Sequence, residues 1–174
     1  MILLFFVIIT TIPDFSLQHD AHLALLRVEW IAGEDMRTFR TSAEQLLSLI
    51  QRLQVRHILL DMNSVPDISV YDQVWLGARW TPRMLSTSLE RMVLVISRWR
   101  VHNQLAVDSL IALSRPYIKF DIQFFSVVVP GLHWLSDYSN RLPALLAEWD
   151  AMHGRDFPRT SGMPEPRAFY RPSL

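Results

Sequence analysis

The sequence predicts an α/β domain: one mixed, mostly parallel β-sheet of about five strands, with an antiparallel first pair, covered by amphipathic helices. Three observations carry that expectation. Short runs rich in β-branched and aromatic residues alternate with longer segments whose apolar residues recur at helical spacing. Polar breaks containing Gly, Pro, Asn or Asp separate them. With 174 residues, 50% of them hydrophobic, the chain has material for one sizeable core and is too short for two.

Residues 5–11 read as the first strand and residues 23–31 as the second, joined by a polar turn at 18–22. Leu26, Val28 and Trp30 alternate with Arg27 and Glu29, the period of a half-covered strand. A helix follows over 36–53, with Met36, Phe39, Ala43, Leu46, Leu47, Ile50 and Leu53 on one face. The run 57–62 is almost continuously apolar, as expected of a strand buried on both faces.

Asn63, Ser64, Pro66 and Asp67 then make a loop, and Ser69 with Asp72 has the spacing of a capping box. The helix so started carries Val74, Trp75, Ala78 and Trp80, and Pro82 predicts a break or kink before a second short helix that runs to about Leu89. Residues 92–96 form another buried strand. A helix over 102–115, with Leu105, Leu110, Ile111 and Leu113 inward, stops at Pro116. Residues 118–125 give the last strand, and Pro130 and Pro143 each start a helix. The predicted domain is 1–153. Residues 154–174, with four prolines and few aliphatic side chains, are expected to be a mobile tail.

Composition excludes several function classes. The 17 basic and 17 acidic residues cancel, so no bulk field attracts nucleic acid or an anionic membrane. A neutral chain is also poorly protected against self-association, which makes a homodimer a reasonable expectation. There is no cysteine, hence no disulfide, thiolate nucleophile or Cys-ligated zinc. The apolar start at 2–9 lacks a basic flank and falls short of the roughly 18 residues a spanning helix needs, so a buried strand and a cytoplasmic location are expected. With five glycines there is no phosphate-binding loop, and no nucleophile elbow or zinc-protease helix is present, so neither a cofactor nor a catalytic role is expected.

Four groups carry possible chemistry. His19 and His22 flank Asp20, but a stable metal site needs a further ligand. Ser69 and Asp72 are a phosphoacceptor and neighbour or, more simply, a helix cap. Trp75 and Arg79 lie four apart, with Arg83 following and Trp80 beside them. An indole among guanidinium groups suits an anionic or aromatic ligand or an interface, against the alternative that the tryptophans are core. Arg98 and Arg100, after a strand end, offer a place for a small anion or form an ordinary loop.

The element order β-β-α-β-α-β-α-β-α, together with the stretches Ile58–Val65 and Asp72–Arg83, resembles the STAS-like fold, whose superfamily includes the CRAL-TRIO lipid-binding domains. The second stretch is similar to small stand-alone bacterial STAS-like proteins. The resemblance implies a regulatory module that binds a protein partner through the loop 64–69 and the helix 72–83, using Ser64, Asp67, Ser69, Asp72, Trp75, Arg79 and Arg83. It also implies, as the alternative, a carrier of a small molecule or lipid. Antagonist STAS domains carry Asp-Ser-Ser/Thr-Gly where this chain has Ser69, Val70, Tyr71 and Asp72, which leaves the family's phospho-switch without its acceptor pair.

Overall fold

The computed structural model describes residues 6–154, so the first residues of the predicted first strand and the predicted tail beyond Gly154 lie outside the described residues. The fold is α/β around a single sheet whose strands lie side by side in sequence order: β1 (Phe6–Ile9), β2 (Phe15–Asp20), β3 (Leu25–Trp30), β4 (His57–Asp61), β5 (Arg91–Val95) and β6 (Asp121–Phe125). The pairs β1–β2 and β2–β3 are antiparallel, and the rest of the sheet is parallel.

Because the strands advance in one direction, right-handed crossovers place every connecting helix on the same face. That face receives α1 (Phe39–Arg52), the helix made of α2 (Val70–Trp75), a π-helical turn (Leu76–Trp80) and α3 (Thr81–Met84), and then α4 (Val101–Ser114). Val28, Trp30, Ile58, Met92 and Leu94 meet them in the larger core. The opposite face is left for α5 (Val128–Leu135) and α6 (Leu142–His153), whose Leu132, Leu135, Leu142 and Leu145 pack on Leu25, Leu59, Val93 and Val95.

The structure departs from the sequence expectation at three places. First, there are six described strands: Gln18, His19 and Asp20, expected in a turn, end β2, and the turn is 21–24. The polar pattern misleads because Ser16, Gln18 and Asp20 are buried, not exposed, and Gln18 and Asp20 meet α6 and its N-cap in a polar network. The Gln18 amide donates to the Leu145 carbonyl (2.9 Å) and the Glu148 carboxylate (2.6 Å). Arg141 donates to Asp20 (2.9 Å), and the Arg27 guanidinium lies 3.6 Å over the Trp149 ring.

Second, of the break or kink expected at Pro82 there is no break, and the helix ends at Met84 rather than near Leu89. Proline lacks an N–H and crowds the carbonyl four residues back, and the chain absorbs this in the wide turn just before it, where the Thr81 N–H bonds the Leu76 carbonyl. The turn keeps Leu76, Trp80 and Met84 buried together. Third, Leu105 and Leu113 point outward from α4, which buries Asn103, Ala106 and Val107 instead.

Candidate functional site

The predicted site begins where β4 ends, at the carboxyl edge of the parallel strands, the edge at which open α/β sheets bind their ligands. The loop there is stapled to the start of α4. The buried Asn103 amide donates to the Val65 and Pro66 carbonyls (both 3.0 Å), while its carbonyl accepts from the Ile68 N–H (3.0 Å). The Arg100 guanidinium also donates to the Val65 carbonyl, and His102 Nε2 lies 2.9 Å from the Ile68 carbonyl. Asn63 accepts from the Ser97 N–H (2.7 Å), tying the β4 and β5 loops together. These bonds satisfy the backbone of a short loop that would otherwise need water. They also occupy Arg100, one of the two guanidinium groups expected to meet a small anion. The other arginine, Arg98, sits 4.5 Å from the Trp99 ring.

Ser69 is the N-cap of α2: its hydroxyl accepts from the Asp72 N–H (3.1 Å) and donates to the Asp72 carboxylate (2.7 Å). Asp is too short to reach back to the cap's own N–H as Glu does in a capping box, so the carboxylate takes the hydroxyl proton instead. Its other oxygen accepts from Arg40 of α1 (2.7 Å). Trp75 meets Phe39 edge-on, centroids 6.5 Å apart, and the cation near its ring is Arg40 at 5.6 Å rather than Arg79. Arg83 pairs with Glu44 of α1. Trp80 is core, its Nε1–H donating to the Ala43 carbonyl (2.8 Å).

Of the seven predicted residues, Asp72, Trp75 and Arg83 therefore form a seam with α1, with Ser69 attached through Asp72. Ser64, Asp67 and Arg79 are exposed and apart from that seam. Trp75, Arg79 and Arg83 do not converge on a common ligand. The residues that sequence reasoning passed over are apolar: Val70, Tyr71 and Val74 stand 69%, 82% and 65% exposed on the outer face of α2. The signal was present, since Val70 and Tyr71 replace the polar residues expected there.

Behind this helix lies an apolar cavity of about 150 Å³ between the sheet and helices α1, α2–α3 and α4, its wall including Trp30, Phe39, Trp80, Met84, Val107 and Ile122. The polar residues at its wall are Asp61, Thr81 and Ser114. His19, Asp20 and His22 do not form a metal site: His19 is buried in β2, His22 is exposed, and Asp20 accepts from the His22 N–H (2.8 Å) and from Arg141. Among the described residues no three His, Asp or Glu side chains cluster as metal ligands, and no helix is long and apolar enough to cross a membrane. Comparison of the chain with family models, curated proteins and solved structures gives no match.

Proposed function

We propose that this chain is a non-enzymatic regulatory module of STAS-like type that acts, in the cytoplasm, by binding a protein partner through the outer face of α2. The exposed trio Val70, Tyr71 and Val74 carries the reading. Apolar side chains at this density, in the first turns after a loop rigidified by Asn103, cost solvation free energy that only a partner recovers. An aromatic at the centre of such a patch is the usual energetic anchor of an interface. The seam with α1 supports the reading as well, because it fixes the helix and so reduces the ordering cost of binding.

The test is a photo-crosslinking side chain at position 71, compared with one at Tyr117, an exposed aromatic in the 3₁₀ turn after α4. A discrete protein adduct from position 71 and none from 117 is expected. Equal labelling from both, or none from 71, sinks the reading.

The cavity favours a second reading, a binder of a small apolar molecule. A native mass spectrum of protein purified gently from its own cells should then carry a stoichiometric non-covalent mass. A bare chain would count against it.

A further inference from the structure

The α2–α3 helix carries exposed apolar and charged side chains along its length. Its apolar trio lies between two exposed charges of opposite sign, Asp67 just before the N-cap and Arg79 in the π-helical turn. Neighbouring charges are already paired, Asp72 with Arg40 and Arg83 with Glu44, whereas neither Asp67 nor Arg79 has an ion-pair partner among the described residues. At about 1.5 Å per residue, Arg79 stands roughly 14 Å along the axis from Val70, with the apolar surface between.

We propose that this face is the interface of a homodimer, in which the α2–α3 helices of two copies pack antiparallel about a two-fold axis near Val74. The inference rests on the reading of this face as the contact surface and names its occupant. An antiparallel pair brings Asp67 of each copy to Arg79 of the other, so one symmetry operation satisfies both charges, as an isologous interface requires. A partner carrying a single sign of charge would match one end of the stripe and oppose the other.

The Ile68 N–H donates to Asn103 and the Ile68 carbonyl accepts from His102, which fixes the start of α4 against the start of α2. Trp99, Val101 and Leu105, at and near the start of α4, are exposed as well. A formal net charge of zero imposes no long-range repulsion between copies.

Sedimentation velocity on the full chain, from about 1 to about 100 μM, tests this with Asp67→Arg, Arg79→Asp and the two combined. The wild type should dimerise within that range. Each single reversal places like charges together twice and should weaken dimerisation roughly tenfold, whereas the double reversal should restore it to within about threefold. Tyr71→Asp, at a site too exposed to unfold the chain, should abolish it, and circular dichroism should stay unchanged in every variant. A wild type that remains monomeric, or a dimer indifferent to the single reversals, overturns the proposal. A monomer whose position 71 crosslinks to a different polypeptide overturns the homodimer and leaves the contact surface standing.

Discussion

At the scale of the residue, two polar roles were legible in the sequence to different degrees. Ser69 could be read as a cap because capping depends on a local spacing, which the sequence displays directly. Asn103 could not, because its three hydrogen bonds reach back to residues 65–68 across a strand and a helix. Asn103→Leu keeps the volume and strips the loop of those bonds. We expect a loss of about 2–4 kcal/mol in urea unfolding and faster hydrogen exchange at the Ile68 amide. Asp35→Asn is the control. The exposed Asp35 carboxyl is held at about 2 by its hydrogen bond to Arg37, yet a solvent-screened pair of this kind should leave the unfolding midpoint unmoved. An unaltered midpoint for Asn103→Leu would show that the loop does not need its staple.

Two histidines set a pH dependence at the same scale. Burial lowers the His19 pKa below its ordinary 6.5, against the pull of Asp20, and burial with Arg91 and Arg56 lowers that of His57 against Glu90. The unfolded chain then binds the protons more readily, so the stability these groups contribute is present above about pH 6.5 and is lost as pH falls below it. Denaturation midpoints should drop between about pH 7.5 and about pH 5.5, and His19→Gln with His57→Gln should flatten that slope. An unchanged slope in the double variant would place the dependence elsewhere.

At the scale of the element, close approach separates two glycines that sequence alone treats alike. A Cβ on Gly131 would sit 2.7 Å from Val93 Cγ1 and 3.4 Å from Leu59 and Phe125, because α5 lies directly on the sheet there. Gly131→Ala should push α5 outward and cost about 1–3 kcal/mol, despite the better helix propensity of alanine. A Cβ on Gly77 meets only the mobile tip of Leu110 at 3.3 Å. Gly77→Ala should therefore be neutral or stabilising by about 0.5 kcal/mol. Equal effects in thermal unfolding would mean that α5 does not rest on β5 as described. Elements also show where local patterning fails. Strand β2 escapes local patterning because its covered face is polar, and the outward Leu105 and Leu113 read as core because α4 has apolar residues on two faces. Only the tertiary partner, α6 for β2 and the inward Ala106 and Val107 for α4, decides such cases.

At the scale of the whole molecule, the alternation of strands and helices was enough to give the α/β class and the single sheet, since crossover handedness then fixes which face each helix covers. Periodicity says nothing about how well the resulting layer is filled. Apolar side chains at helical spacing predict a core whether they touch or leave space, and here they leave about 150 Å³. An apolar space of that size, open in part to the surface, leaves its lining side chains without contacts on one side. A chain that keeps such a gap beneath its α2–α3 helix either tolerates the loss or fills it with a ligand. Val107→Ile tests whether the space is there at all, since it adds one methylene at the cavity wall, worth about 0.8 kcal/mol if the space is open. The variant should melt higher than the wild type in the absence of ligand. Benzene, small enough for a dry apolar cavity, should raise the wild-type melting temperature more than that of the variant. If Val107→Ile melts lower and benzene leaves both proteins unmoved, the layer is already full and the small-molecule reading falls with it.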